Sequence, residues 1–167
     1  MITKSEKETF KLGQKLAGRL AGGEVIALIG DLGAGKTIFI KGLAKGLGIK
    51  QTITSPTFVL MKIYPVRDKP LQAAAAMPKA ERISNGIYPV RQKKVKSLCH
   101  IDAYRLTNGQ ELIDIGVNDW LGKKDVVTVI EWADRVKEIL PKKKIKIKID
   151  FAKKEKTRRL EVVSYKL

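Results

Sequence analysis

Apolar and polar residues along the first third of the chain follow the periods of a helix, a strand and a second helix. Ser5 stands three residues before Glu8, the spacing of a helix capping box, and apolar residues then recur at helical intervals. Val25 to Ile29 is a continuous apolar run, typical of a strand buried on both faces of a parallel sheet. A glycine-rich turn follows, and a second helix is predicted from about Lys36 to Leu47, closed by Gly48.

The remaining pattern predicts further strands and one short helix. Three strands are predicted from their apolar content: Phe58 to Tyr64, Val95 to Ala103 and Asp125 to Trp132. A short helix is predicted from Ala133 to Leu140, stopped by Pro141. Basic and apolar residues alternate from Lys144 to Ile149, and Leu160 to Val163 is apolar again after a polar turn, which predicts an antiparallel hairpin with one wet face. The predicted fold is a three-layer α/β/α domain with a mixed, mostly parallel sheet and an antiparallel C-terminal hairpin.

One internal segment departs from this pattern. The pentapeptide Ile63 to Arg67 recurs as Ile87 to Arg91, with an alanine-rich stretch between the copies. A single pair of copies is too few for a repeat architecture, which needs three or more. We therefore expect a single domain over residues 1–167 with a surface insertion at 66–95.

Composition narrows the classes of protein to which the chain can belong. Hydrophobic residues make up 44% and charged residues 31% of the 167, a balance typical of a folded globular domain. No apolar run approaches the ~20 residues that a membrane-spanning helix needs. Cys99 is the only cysteine, so an internal disulfide is impossible. We expect a cytoplasmic protein with no membrane contact.

The formal net charge of +17 is concentrated in two parts of the chain. Residues 62–98 hold nine basic and two acidic side chains, and residues 141–167 hold eleven basic and three acidic ones. Such segments attract nucleic acid or an acidic protein surface. A solvated lysine-rich face explains the same composition equally well, because lysine alone reads no sequence.

Gly30 to Thr37 matches the phosphate-binding motif G-x-x-x-x-G-K-[ST], between the predicted strand and helix. Glycines let backbone N–H groups approach phosphates closely, and the helix N-terminus adds partial positive charge. Lys36 is expected to reach the β- and γ-phosphates, and the Thr37 hydroxyl to take a magnesium position. The residues predicted to bind nucleotide at this loop are Asp31, Leu32, Gly33, Ala34, Gly35, Lys36 and Thr37.

Two carboxylates that end predicted strands are candidates for the metal side of this site. Asp102 follows the apolar run from Val95, and Glu131 ends the most apolar later strand. Ligands bind at the carboxyl ends of strands in open α/β sheets. One acid would hold magnesium, directly or through water, and the other would orient the attacking water. The metal residues predicted are Thr37, Asp102 and Glu131, and both acids are predicted to be catalytic.

Other residues near these motifs have two interpretations each. Thr57 is either a switch that contacts the γ-phosphate or metal, or an ordinary turn residue. Trp132 packs either beside the nucleotide, or in the core or an interface. His100, next to Cys99, is assigned a structural role because no second cluster of metal ligands accompanies it. The chain has no Asn-Lys-x-Asp guanine-reading motif, which favours ATP over GTP.

Two other functions remain compatible with these residues. A small-molecule kinase could use the same phosphate loop, with the basic 66–95 segment as a lid. A non-catalytic nucleic-acid binder could rely on the +17 charge alone, and its binding would weaken steeply with salt.

Several short motifs follow one another in a fixed order along the chain. They are Thr9…Leu12-Gly13, Gly30 to Thr37, Ser55-Pro56-Thr57-Phe58, His100-Ile101-Asp102-Ala103-Tyr104-Arg105-Leu106, Glu111-Leu112, Gly116 and Ile130-Glu131-Trp132. Together they resemble the bacterial TsaE (YjeE) family of ATPases, which serves the threonylcarbamoyladenosine modification of tRNA. The resemblance covers most of the chain outside residues 66–95 and weakens in the basic C-terminal hairpin.

The resemblance implies a small P-loop ATPase with ATP and Mg²⁺ as cofactors, slow without partners. Such a protein binds the TsaB–TsaD complex and supports its turnover by ATP hydrolysis, without itself joining threonylcarbamoyl to adenosine. Lys36 and Thr37 would bind phosphate and magnesium, and Thr57 would be the switch threonine. Asp102 and Glu131 would be the metal and catalytic carboxylates, with Trp132 an important neighbour.

Two features depart from the family's pattern. Ala133 stands where a proline often follows Glu-Trp, and the insertion at 66–95 is longer than the short connection that the resemblance implies. Ala133 concerns the turn that follows Glu131 and Trp132. The insertion concerns the way in which a partner docks.

Overall fold

A computed structural model describes residues 1–66, 95–152 and 157–164. The strands are β1 Ile2–Thr3, β2 Val25–Ile29, β3 Met61–Pro65, β4 Ser97–Asp102, β5 Val126–Glu131, β6 Ile145–Phe151 and β7 Arg158–Ser164. The helices are α1 Glu6–Ala17, α2 Lys36–Leu47 and α3 Gln110–Asp114, with 3-10 helices at Val117–Asp119 and Ala133–Ile139. The insertion predicted at 66–95 lies outside the described residues, except for its two ends.

The strands of the described residues form one sheet in the order β1-β7-β6-β2-β5-β4-β3. Its four central strands, β6, β2, β5 and β4, are parallel. β3 pairs antiparallel with β4 at one edge, while β7 pairs antiparallel with both β6 and β1 at the other. The predicted mixed sheet with an antiparallel C-terminal hairpin is confirmed.

Strand β2 shows why the central strands are apolar along their whole length. Ile26 and Leu28 belong to the core beneath α1 and α2, where they pack with Phe39 and Leu43. Val25 and Ala27 belong to a second core on the opposite face, formed with residues of α3 and the 3-10 helices. A strand covered on both faces needs apolar residues at every position. The three-layer α/β/α arrangement follows.

Helices α1 and α2 approach closely because glycines line their contact. A Cβ atom added to Gly13 would stand 2.2 Å from the carbonyl oxygen of Phe39. One added to Gly42 would stand 1.9 Å from the carbonyl oxygen of Phe10. This packing fixes α2, and with it the phosphate loop that precedes it.

The later elements are shorter than the pattern predicts. The strand predicted from Phe58 begins at Met61, because Leu60 adopts a positive φ of 59° that interrupts extended backbone. The helix predicted after Trp132 is a 3-10 helix with a break at Val136. These differences leave Phe58 on the surface, 82% exposed.

The C-terminal hairpin has the alternating burial that its sequence predicts. Ile145, Ile147 and Ile149 are buried, and Lys146 and Lys148 between them are less so. The hairpin therefore closes one edge of the core and carries its lysines outward. No helix in the described parts of the chain is long and apolar enough to cross a membrane.

Candidate nucleotide-binding site

The phosphate-binding motif forms the connection from β2 to α2 at the carboxyl end of the central strands. Gly30, Gly33 and Gly35 have positive φ values of 138°, 76° and 101°, a conformation that side chains rarely adopt. A Cβ atom at Gly30 would stand 1.9 Å from the carbonyl oxygen of Ile149 in β6. Gly35 is the N-cap of α2, so the N–H groups of the loop lie next to those at the start of that helix. Ala34 is buried within the loop, and Leu32 is 70% exposed.

Lys36 bridges the loop that carries it. Its Nζ donates hydrogen bonds to the carbonyl oxygens of Gly30 at 2.7 Å and Asp31 at 2.8 Å. The same ammonium lies 3.8 Å from the ring centroid of Trp132, a cation–π distance. Burial lowers the pKa of Lys36 from its usual 10.5, while the nearby carboxylates of Glu131 and Asp102 oppose that change. The ammonium is thus held at the mouth of the loop, where added negative charge would stabilise it.

Thr37 and Glu131 meet directly although they are far apart in the sequence. The Thr37 hydroxyl lies 3.1 Å from each carboxylate oxygen of Glu131, to which it donates. Thr37 is in the first turn of α2, and Glu131 ends β5, the parallel neighbour of β2. The two elements therefore bring a hydroxyl and a carboxylate to the loop from opposite sides.

Asp102 lies beside Glu131 because the two residues are register partners in β4 and β5. Its Oδ2 accepts hydrogen bonds from the hydroxyls of Ser55 and Thr57, and its Oδ1 accepts one from the backbone N–H of Tyr104 at 3.0 Å. The two hydroxyls also contact each other at 2.7 Å. Thr57 is thereby tied to the carboxylate at the end of β4, and Ser55 shares that role.

Trp132 is held over the phosphate loop by an unusual backbone conformation. Its φ of 58° is in the left-handed region, which costs a bulky residue about 1–3 kcal/mol and is concentrated at functional sites. The ring lies 5.0 Å from that of Tyr104, and the Arg135 guanidinium stands 5.9 Å from it. Ala133, which follows, is buried and begins the 3-10 helix. The chain makes this turn without the proline of the family's pattern.

All the predicted site residues are thus brought to one end of the sheet. Sequence reasoning missed two groups that join them. Ser55 has no predicted role, although a second hydroxyl in the same Ser-Pro-Thr motif as Thr57 is a signal that could have found it. His100 was assigned a structural role, yet its Nε2 lies 2.9 Å from Oε1 of Glu131.

The oxygen atoms of Thr37, Asp102 and Glu131 suit magnesium better than a metal that needs an all-protein cage. No group of three or more His, Cys, Asp or Glu residues that could hold a metal occurs among the residues described. Mg²⁺ typically keeps several waters and is bound by one or two carboxylates together with substrate phosphates. The donor set present here fits that pattern.

A parallel strand that leads through a glycine-rich phosphate loop into a helix, with carboxylates at the ends of adjacent strands, defines a P-loop NTPase. Comparison with known proteins gives the family. The family model described as threonylcarbamoyl adenosine biosynthesis protein TsaE matches residues 3–74 and 84–160. The chain belongs to the TsaE family, which is involved in tRNA threonylcarbamoyladenosine biosynthesis, and the resemblance seen in its motifs is confirmed.

Individual relatives agree with this assignment. The tRNA threonylcarbamoyladenosine biosynthesis protein TsaE of Streptomyces coelicolor is 34% identical over 143 residues, covering 85% of this chain and 78% of the relative. The protein of the same name from Treponema pallidum is 34% identical over 148 residues, covering 89% of this chain and 88% of the relative. The crystal structure of Bacillus subtilis YdiB has a TM-score of 0.66 and 28% identity, covering 96% of this chain and 80% of that one.

Proposed function

We propose that the protein is a magnesium-dependent ATPase whose site is the loop Gly30 to Thr37. The observation that carries the proposal is the meeting of the Thr37 hydroxyl with Glu131 at 3.1 Å, next to the Lys36 ammonium. A phosphate cradle, a cation, a hydroxyl and a carboxylate at one point are the parts that phosphoryl transfer uses. The absence of a guanine-reading motif supports ATP as the nucleotide.

The loop would bind the triphosphate through backbone and ammonium together. N–H groups of the loop and of Lys36 and Thr37, which begin α2, would face the phosphate oxygens. Lys36 would exchange its two carbonyl partners, which are neutral, for charged phosphate oxygens. That exchange supplies a favourable charge contact to an ammonium that burial now destabilises. This movement would take the ammonium away from the ring of Trp132.

The two carboxylates would occupy the magnesium side of the site. Mg²⁺ held by Thr37 with the triphosphate would neutralise charge on the β- and γ-phosphates. One of Asp102 and Glu131 would ligate it, directly or through water, and the other would orient the attacking water. Thr57, bound to Asp102, would act as the switch that senses the γ-phosphate.

We further propose that the nucleotide state controls docking on the tRNA-modifying proteins TsaB and TsaD, and that hydrolysis resets their complex. Membership of the family supports this partner class. An apolar surface lies next to the switch: Phe58 follows Thr57, is 82% exposed, and has the Arg105 guanidinium 4.3 Å from its ring centroid. A change at Thr57 would therefore reach the surface within one residue. The basic C-terminal hairpin would contact tRNA or an acidic partner surface. Membership of a family involved in tRNA modification supports a location in the cytoplasm.

Phosphate release and co-elution with purified TsaB–TsaD test the two parts of this function. Lys36→Ala should abolish ATP binding or hydrolysis. Glu131→Ala should impair turnover and leave nucleotide binding largely intact. Normal hydrolysis by both variants, with and without partners, would show that the site is assigned wrongly. ATP-dependent phosphorylation of an added metabolite would favour the kinase, and salt-sensitive RNA binding that ignores ATP would favour the nucleic-acid binder.

Charge reversal tests the basic hairpin separately. Lys142, Lys143 and Lys144 replaced together by glutamate should weaken affinity for the TsaB–TsaD–tRNA assembly and make it less sensitive to salt. Phosphate release by the isolated protein should not change, because these residues lie away from the loop. Unchanged affinity for the assembly would remove the hairpin from the proposed interface.

A further inference from the structure

His100 is a completely buried histidine in the middle of the sheet. It lies on β4, two residues before Asp102, and therefore on the same face of that strand. Its Nε2 stands 2.9 Å from Oε1 of Glu131. The contact joins the core of the sheet to a carboxylate of the candidate site.

The surroundings of the ring determine which nitrogen carries the proton. Nδ1 of His100 has no hydrogen-bond partner among the residues that the structure describes. A proton on Nδ1 alone would leave that donor unpaired and would turn the bare lone pair of Nε2 toward a carboxylate oxygen. The opposite arrangement, with Nε2–H donating to Glu131, satisfies the donor and the acceptor. The imidazole is therefore a hydrogen-bond donor to Glu131.

Core packing alone does not account for an imidazole at this place. A buried nitrogen without a partner costs about 1–3 kcal/mol, a cost that an apolar side chain avoids. What the imidazole adds is one directed donor to a buried carboxylate, which is 3% exposed. Oε1 of Glu131 accepts from both His100 and Thr37, whereas Oε2 accepts from Thr37. The two donors fix the plane of the carboxylate from the sheet side and from α2.

We propose that His100 is a positioning residue for Glu131. This inference rests on the proposed function, in which Glu131 acts on magnesium or on the attacking water. Holding Oε1 keeps the carboxylate against the Thr37 hydroxyl and prevents it from turning about its last torsion angle. Groups that orient metal-side carboxylates or ligands change activity by about 10- to 100-fold when removed, and displacements near 1 Å cost roughly 100-fold.

Two matched substitutions separate positioning from packing. In glutamine, Nε2 is the third atom from Cβ, as it is in histidine, so His100→Gln keeps a donor at a similar reach. His100→Met has similar length and no donor. We expect His100→Met to lower kcat for ATP hydrolysis about 10- to 100-fold with ATP affinity little changed, and His100→Gln to recover most of the loss. Unfolding temperatures of both variants control for loss of fold.

The outcomes distinguish this inference from the proposed function. If the wild type hydrolyses ATP and His100→Met has the same kcat, the positioning role alone is overturned. An equal loss of kcat in His100→Met and His100→Gln, with the fold intact, overturns it as well. If the wild type releases no phosphate even with its partners, the proposed function fails and the positioning role of His100 in hydrolysis fails with it.

Nuclear magnetic resonance tests the contact without hydrolysis. His100 is the only histidine in the chain, so ¹⁵N-histidine labelling gives a single imidazole. We expect a proton on Nε2 that exchanges slowly with water, and a shift of this signal in Glu131→Gln. An unprotonated Nε2, or a signal indifferent to Glu131→Gln, would overturn the inference whatever the variants do.

Discussion

The replacement of Thr37 by valine removes one hydroxyl and nearly preserves the shape of the side chain. That hydroxyl lies 3.1 Å from both oxygens of Glu131. A hydrogen bond to a charged group contributes about 1.5–3 kcal/mol, and 3.1 Å is long for an O–H···O bond. Glu131 also keeps its contact with His100 at 2.9 Å. We therefore expect a loss of about 1.5 kcal/mol in the free energy of unfolding.

This loss converts to a measurable change in thermal stability. A chain of this size changes its unfolding temperature by about 2–4 °C per kcal/mol. Thr37→Val should therefore unfold about 3–6 °C below the wild type. Thr37→Ser keeps the hydroxyl and is the matched control, which should unfold closer to the wild type.

The same hydroxyl is the proposed magnesium ligand, so binding provides a second measurement. Loss of a contact to a charged group worth about 1.5–3 kcal/mol weakens binding about 10- to 150-fold. Titration calorimetry with ATP should show this loss for Thr37→Val when magnesium is present and little difference between variants when it is absent. If valine and serine variants bound magnesium–ATP equally and unfolded at the same temperature, the assignment of Thr37 would be wrong.

Three further predictions concern other parts of the molecule. Burial raises the pKa of the Cys99 thiol to about 12 from 9.0. Because only the unfolded thiol ionises just above pH 9, folding stability should fall as the pH rises, and Cys99→Ala should remove this dependence in a denaturation series. A thiol reagent should modify Cys99 only after unfolding. With Trp120 replaced by phenylalanine, the fluorescence of Trp132 should change on addition of ATP, because the Lys36 ammonium 3.8 Å from its ring would move to phosphate. An unchanged spectrum with ATP bound would argue against that movement. Gly42→Ala should lower the unfolding temperature by about 2–12 °C, since a Cβ atom would press against the carbonyl oxygen of Phe10 and overpacking costs about 1–3 kcal/mol; wild-type stability would show that α1 and α2 separate at little cost.

The strand–loop–helix unit could be predicted to the residue because each boundary has a local cause. Val25–Ile29 is apolar throughout since both its faces are covered, and Lys36–Leu47 begins after Gly35 and ends before Gly48, both in the left-handed region. Asp102 and Glu131 could be predicted as a pair because the carboxyl ends of parallel strands share one edge of the sheet. These features depend on local pattern and on a general rule of topology.

The link between His100 and Glu131 could not be predicted in the same way. It depends on the register of β4 against β5, which places Asp102 opposite Glu131 and His100 opposite Val129. Register is a property of the assembled sheet and leaves no signal in either strand alone. The late start of β3 could not be predicted either, because the positive φ occurs at Leu60, and glycine or asparagine is the usual sequence signal for that conformation.

A crystal structure with magnesium and a non-hydrolysable ATP analogue is the most direct test of the central claim, that the phosphate loop and two strand-end carboxylates serve a single magnesium–triphosphate. We expect the phosphates on the loop, with Lys36 Nζ moved from the carbonyls of Gly30 and Asp31 to phosphate oxygens. We expect magnesium on the Thr37 hydroxyl, with Asp102 or Glu131 bound to it directly or through one water. A triphosphate bound elsewhere, or a metal out of reach of both carboxylates, would contradict it.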